Sequence, residues 1–402
     1  MKVIKKDETV ESFDIAKIIN AAEKAASRLD TKLSQKDKDA LEDTISAYLS
    51  DNTYKYVDDI KTKELHTIVI QCLKYIGRND VAKSYQEYRD YKNTYAKAWE
   101  EMKETTDAIL FLGDRENANF DSSLISTKGA LMKGALAKEL YKQFYLSKTE
   151  KEMIKRGDIY IHDLRDLIFH SINCCLFDMG NVLKDGFEMS NTKYTEPKSV
   201  LTALQVIGDV TMVASANQYG GFTTAEIDKI LLPYVKKSLS HWFSFFNTEC
   251  ELDKDKSMKL AKDKVKEELK QGFQSYELKL NTLPSSRGDY PFTTITFMQW
   301  DPNLPEEDRY WLAEIDKAIL KTRYIGHGNK PALFPKLVAL FDKNQYDLDK
   351  YTKEVFDECI YCSSKCLYPD MLSLIGNPKH NTVAKVYLDS NKKVITSPMG
   401  EI

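Results

Sequence analysis

Two adjacent cysteines, Cys174 and Cys175, stand in the apolar stretch "SINCCLFDM", which reads as a strand. Alternation along a strand turns one of the two thiols to each face of the sheet. A buried structural pair is the commoner role for such cysteines; sulfur-centred chemistry is the other. Cys359, Cys362 and Cys366 fall on one face of a predicted helix, with no fourth ligand nearby, so packing is the expected role and no metal is assigned. Their C-x2-C-x3-C order is also the reverse of the radical-SAM cluster motif. His162 and Asp163 follow a β-like run and read either as an acid–base pair or as a core histidine with a partner. Gly220-Gly221 after a helix, and "SSRG" at 285–288, fit a phosphate cradle or a plain turn. Lys5 and Lys6 beside a turn, with Lys17 one turn into the next helix, are placed to gather around phosphates or to be solvated.

Those residues need elements to hold them. At the N-terminus, Val3-Ile4 and a second short extended piece precede a helix capped by Asp14, with Ile15, Ile18, Ile19, Ala22 and Ala26 at helical spacing. Three more helices follow, over "QKDKDALEDTISAYLSD", "IKTKELHTIVIQCLKYI" and "NDVAKSYQEYRDYKNTY". This makes residues 1–95 a compact module of hairpin and helices, and residues 96–402 a second unit. In the second unit, Ile168 to Phe177 reads as a fully buried strand. "PKSVLTALQ…" reads as two helices broken at Gly220-Gly221, with Thr223 or Thr224 as the next N-cap. A long charged helix, the strand in "PFTTITF", a helix over "RYWLAEIDKAILKTRYIG", the strand in "FPKLVALFD" and a helix stopped near Tyr368-Pro369 follow. The last element is a hairpin over 383–395. Strands alternating with helices imply a largely parallel α/β architecture, either a closed barrel or an open sheet.

Composition excludes several classes. A net charge of −3 over 402 residues lacks the basic face of a nucleic-acid-binding protein. The first 95 residues balance 17 basic against 17 acidic groups, so any anion site there is local. The longest apolar runs are too short to span a bilayer, so no membrane contact is expected. Seven cysteines without a signal-like N-terminus read as free thiols in a reducing cytoplasm.

The string "VIKKDETVESFDIAKI" resembles the ATP-cone, the nucleotide-sensing domain of ribonucleotide reductases, whose pattern is V-x-K-R-D-G-x-x-x-x-F-D-x-x-K-I. The resemblance implies ATP or dATP as allosteric effectors, held by Lys5, Lys6, Glu11, Asp14 and Lys17. His66, in "TKELHTIVI", stands where the family places a histidine on the base or the phosphates. Lys6 replaces the usual arginine, keeping the charge but not the fork, and Glu8 replaces the usual glycine.

The remainder resembles the catalytic subunit of anaerobic (class III) ribonucleoside-triphosphate reductases. The blocks that carry the resemblance occur in the family's order: "ENANFDSS", "GDIYIHDL", "NCCLFDMGNVLKDGFEMSN", "EPKSVLTALQ", "ASANQYGGFT", "DKILLPYVKK", "NTLPSSRGDYPFTTITF", "FPKLV", "YPD" and "SPMG". The implied fold is α/β: an N-terminal α+β ATP-cone followed by the first half of a ten-stranded α/β barrel. The implied activity is reduction of ribonucleoside triphosphates by glycyl and thiyl radical chemistry, with formate as reductant. Cys174 aligns with the first-strand cysteine, and Cys175 then faces the outer shell. Asn281, Ser285 and Ser286 lie with the substrate, and Lys198 lies at a homodimer interface that binds the specificity effector. Asp209 stands where the family commonly carries glutamine. A radical-SAM activating enzyme is the implied partner.

In the family S-P-M-G precedes the cysteine that becomes the thiyl radical, whereas here Glu401 and Ile402 follow Gly400. The expectation is that the glycyl radical and zinc site belong to a C-terminal part outside this sequence, and that this chain alone is inactive. An intron or intein, a split subunit with a separate C-terminal half, or a truncation each account for that. The competing expectation is a non-catalytic fragment that senses nucleotides with its ATP-cone.

Overall fold

The computed structural model describes the chain except residues 6–7, 52–53, 55–57, 112–122, 190, 219, 285–287, 327, 329–331 and 375–402. It divides into two compact units, Met1–Glu104 and Thr105–Ile402. Lys6, Ser285, Ser286, most of "ENANFDSS", "SPMG" and the 383–395 hairpin lie outside the described residues.

In the first unit, β1 (Lys2–Ile4) pairs antiparallel with β2 (Val10–Ser12) and parallel with β3 (Asp59–Lys61). Helix α1 (Ile15–Ser27) starts where Asp14 Oδ1 accepts the Ala16 N–H at 2.9 Å. Helix α2 (Gln35–Ser50) opens with a capping box in which Ser34 and Asp37 satisfy each other's backbone N–H groups. Helices α3 (Thr62–Tyr75) and α4 (Asn79–Phe111) complete the unit. Ala22, Ala25 and Ala26 of α1 are fully buried against Leu41, Ile45, Val69 and Leu73. Small residues on one stripe let α1 approach α2 and α3 closely, so the apolar periodicity of each helix becomes one core.

The second unit begins with α5 (Ile125–Leu140), a π-helical turn over Tyr141–Tyr145, α6 (Lys148–Arg156) and the short α7 (Leu164–Leu167). It continues through β4 (Cys175–Leu176), α8 (Met179–Asp185), the β5–β6 hairpin (Phe187–Met189, Thr192–Tyr194) and α9 (Val200–Ser215). Next come β7 (Phe222–Thr224), α10 (Ile227–Ser244), α11 (Lys254–Thr282), β8 (Thr293–Phe297), α12 (Glu306–Ile325), β9 (Lys336–Phe341), α13 (Lys343–Leu348), α14 (Lys350–Cys366) and β10 (Asp370–Ser373). The five long-range strands form one all-parallel sheet in the order β10-β9-β8-β7-β4. Five parallel strands among the described residues are consistent with part of an α/β barrel, and the α/β class follows from the sequence as expected. Strand β8 is buried at every residue, as its β-branched run demands.

Two expectations need correction. Thr223 and Thr224 lie in β7 and do not cap α10, whose N-cap is Glu226 at φ 53°. Threonine suits both roles, and pairing with β8 decides between them. The run Ile168–Phe177 is not a buried strand: only Cys175–Leu176 extends, and Phe169, Ile172 and Leu176 are 67%, 58% and 50% exposed. Strand β4 is the edge of the sheet, so only one of its sides gains a partner among the described residues.

The far end of the sheet is tied to its helices by buried polar groups. Arg323 on α12 donates from Nε to Glu277 of α11 at 2.9 Å and from Nη2 to the Pro335 carbonyl at 2.6 Å. One turn on, Asn281 Oδ1 accepts the Leu333 and Phe334 N–H groups, at 2.8 and 3.0 Å. Its Nδ2 donates to the Glu277 and Phe334 carbonyls. Together these fix where the chain enters β9.

Candidate functional site

The chemistry divides between the two units. In the first, a cavity of about 830 Å³ lies between α1, α3 and α4 under the β1–β2 hairpin. Lys5 and Glu11 line it from the hairpin side, and Glu11 Oε2 accepts Lys17 Nζ at 2.9 Å while pairing with Lys5 Nζ at 3.1 Å. The Lys17 hydrogen bond, followed by that of Lys5, holds the Glu11 carboxyl below the usual carboxylate range. His66 Nδ1 lies 2.6 Å from the Tyr85 hydroxyl, and burial pushes that phenol up to about 12. Asp14 does not reach the cavity, because its carboxylate caps α1. In this arrangement its carboxylate starts the helix.

The cationic lining that sequence reading missed is on the helices. Lys24 and Arg28 of α1, and Arg89 and Lys92 of α4, face the same space. The Arg28 guanidinium sits 3.7 Å from the centre of the Tyr88 ring, a cation–π contact. Burial holds the Arg89 guanidinium below its ordinary value. The signal was present: Tyr85, Tyr88, Arg89 and Lys92 are at i, i+3, i+4 and i+7, one face of α4. The cavity thus carries stacking surface and positive charge together, the chemistry that takes a base and its phosphates.

In the second unit, Cys174 and Cys175 have different partners. The Cys174 sulfur accepts the Gly221 N–H at 3.2 Å and lies 3.3 Å from Asn173 Oδ1, to which its thiol donates. Cys175 packs against the main core, and its thiol donates to Gln218 Oε1 at 3.0 Å. Burial, and secondarily Cys174, pushes the Cys175 thiol up. The Gln218 amide in turn donates to the Gly221 carbonyl at 2.7 Å. The parallel register of β4 on β7 sets this up, with Cys175 opposite Phe222. Gly220 donates its N–H to the Asn173 carbonyl at 2.7 Å. A Cβ there would meet Asn173 Oδ1, the Cys174 sulfur at 2.5 Å and the Asn173 carbonyl at 2.6 Å. Gly220 thus makes room for the Cys174 sulfur, and the Gly221 N–H holds it.

Among the remaining expected residues, Asn281 uses both lone pairs and both N–H groups on backbone. In this arrangement it ties the end of α11 to the chain entering β9. Lys198 is exposed, next to Ser199, which caps α9. Asp209 on α9 is paired with Lys279 of α11 at 2.5 Å, which offsets its charge. His162 and Asp163 contact each other at 3.0 Å on an exposed loop, not in a core strand. Cys359 and Cys362 are buried in the main core and burial raises both thiols; Cys366 approaches Cys362 at 3.6 Å. Among the described residues no helix is long and apolar enough to cross a membrane.

The model of the ATP cone domain matches residues 1–94, and the model of the anaerobic ribonucleoside-triphosphate reductase family matches residues 116–400. The anaerobic ribonucleoside-triphosphate reductase of Haemophilus influenzae is 30% identical over 389 residues, covering 92% of this chain and 52% of the relative. That of Enterobacteria phage T4 is 33% identical over 270 residues, 65% of this chain and 42% of the relative. That of Escherichia coli is 30% identical over 330 residues, covering 79% and 44%. The chain spans about half the length of these relatives. A solved structure of the anaerobic ribonucleotide reductase from Thermotoga maritima, in complex with dATP and CTP, aligns at TM-score 0.47 and 17% identity over 72% of this chain and 50% of that one. Since the longer match takes in most of the sequence and the shorter one most of what precedes it, the chain belongs to the anaerobic ribonucleoside-triphosphate reductase family and carries an ATP-cone at its N-terminus.

Proposed function

We propose that this chain supplies the regulatory cone and the first-strand thiol of an enzyme that reduces ribonucleoside triphosphates to deoxyribonucleotides. Formate is the two-electron reductant: the 2′-hydroxyl leaves as water, a hydrogen replaces it on C2′, and formate with a proton is consumed as carbon dioxide is released. The observation that carries this reading is the cradle around Cys174. Cys174 is half-buried beside the sheet edge and its sulfur is held by the Gly221 N–H, while the half-buried Cys175 packs against the main core. An S–H bond is weak enough for reversible hydrogen-atom transfer, and a fixed sulfur meets a sugar without reorganising. A glycyl radical would supply the one-electron oxidation of a second cysteine, the one that in the family follows S-P-M-G, and Cys174 would take part in reducing C2′. Within this chain, Gly220-Gly221 and Asn173 orient the sulfur, while Gln218 holds the neighbouring thiol. A homodimer, a radical-SAM activating enzyme and a zinc site complete the reading that the family supports, and Lys198 remains the candidate at the effector site.

Anaerobic assay of the activated enzyme with a ribonucleoside triphosphate and formate tests this. Cys174→Ser should abolish deoxynucleotide formation, and Cys175→Ser should leave it within a few-fold. Activity that survives Cys174→Ser refutes the assignment. A second activity, sensing ATP or dATP, rests on a cavity built wholly from residues between Lys5 and Ala96. Equilibrium dialysis should show binding that weakens about ten-fold or more in Arg89→Ala, as expected for loss of a charge-assisted contact.

A further inference from the structure

A cavity of about 540 Å³ lies beside the cysteine pair and shares Gln218 with its surroundings. Lys133 and Gly134 of α5, the segment from Arg165 to Ile172, and residues 216–218 after α9 form its walls. Its size is that of a small-molecule site. Lys133, Arg165, His170 and Ser171 face it, and Asp166 is the one acid among its lining residues. Asp166 Oδ2 accepts Arg165 Nε at 3.0 Å, and the terminal guanidinium nitrogens carry no partner among the described residues. Lys133 has no ion-pair partner among them either.

Gly134 shows that the arginine is placed. A Cβ there would lie 3.2 Å from Arg165 Cδ and 3.7 Å from Nη1. A glycine inside a helix is unfavourable in propensity, and here it lets the arginine stem lie across α5. The inner wall is Gln218, the residue that holds the Cys175 thiol. Ile172, bridged to Gln218, stands two residues before Cys174, about 7 Å away along an extended chain.

We propose that this cavity receives the polyphosphate of the nucleotide whose sugar meets Cys174; the proposal rests on the reductase reading above. A guanidinium with two open nitrogens beside a lysine is the pairing that suits phosphate oxygens. The lining is net positive despite Asp166, and a carboxylate as small as formate would leave most of the volume empty.

Lysine acetylation of the full chain, read residue by residue by mass spectrometry, tests it, with Lys5 and Lys17 reporting on the cone in the same sample. Tripolyphosphate at ten times its dissociation constant should slow acetylation of Lys133 about ten-fold. Arg165→Met should remove that protection and leave Lys5 and Lys17 unaffected. Gly134→Ala, which displaces the arginine while favouring the helix, should weaken protection in the same direction. Ribonucleoside triphosphates should protect Lys133 as tripolyphosphate does, and formate should not. Unaltered Lys133 reactivity overturns the site, and protection by formate alone overturns the phosphate assignment. Protection by tripolyphosphate but not by ribonucleotides overturns the link to substrate. Failure of the reductase reading is seen separately, as protected Lys133 with no deoxynucleotide formed.

Discussion

Gly220→Ala places a methyl group where three atoms already sit. Asn173 Oδ1 can swing aside, but the Asn173 carbonyl at 2.6 Å is backbone and the Cys174 sulfur at 2.5 Å is held by the next amide. Ordinary contact begins near 3.4 Å, so β4 must retreat by about 0.8 Å or the 220–221 turn must open. Either movement strains the Gly220 N–H to Asn173 bond and the Gly221 N–H to sulfur bond, now 2.7 and 3.2 Å. Overpacking of this kind costs about 1–3 kcal/mol, and a weakened ladder bond adds about 1 kcal/mol. The expected loss is about 2–4 kcal/mol in urea unfolding. Local release should also raise the rate at which iodoacetamide modifies Cys174, measured against the exposed Cys250 in the same chain. Gly180→Ala is the control, since a Cβ there meets nothing closer than 3.7 Å. Unchanged stability together with an unchanged Cys174 to Cys250 ratio would refute the cradle.

Asp228 and Asp316 are both fully buried, and no cation pairs with Asp316 among the described residues. Burial lifts the Asp228 carboxyl to about 6 and Asp316 well above its ordinary value. Because the folded chain binds protons more tightly than the unfolded one, whose carboxyls titrate near about 4, stability is greatest below that pH and falls as pH rises through about 6. Asp316→Asn should flatten this fall and raise the neutral-pH melting temperature; a steeper fall contradicts the reasoning. Arg323→Met leaves Glu277 buried without its cation and should cost about 3–5 kcal/mol, with Glu277→Gln costing less, both read from urea midpoints. Tyr85→Phe removes the 2.6 Å contact to His66 and should cost the cone about 1 kcal/mol in thermal unfolding while changing nucleotide affinity by more than Lys17→Ala does.

What the sequence made legible was local. Asp14 announced α1, and the β-branched runs in "TTITF" and "KLVALF" announced β8 and β9, because caps and periodicities act within a few residues. Strand β3 gave no such sign: three residues, Asp59–Lys61, become a strand only because β1, far upstream, lies alongside. Strand β4 is shorter still, and β7 overrode the capping preference of Thr223 and Thr224. The site divides in the same way. Alternation in "NCC" implies different surroundings for the two thiols, and their partners do differ: the Gly221 N–H for Cys174 and Gln218 Oε1 for Cys175. Besides Asn173, which is adjacent to Cys174, each thiol has a partner from 218–221, more than forty residues downstream, and the β4–β7 register brings it there. Gly220 is the hardest case, since a glycine needed for the space it leaves looks the same in sequence as one needed for a turn. A side chain that reacts is visible as itself, whereas the residues that hold it are visible only through the pairing that places them. The cone follows the same rule: its hairpin lysines were read from a motif, while Arg28 and Arg89 entered through helix faces that only tertiary packing turns toward one cavity.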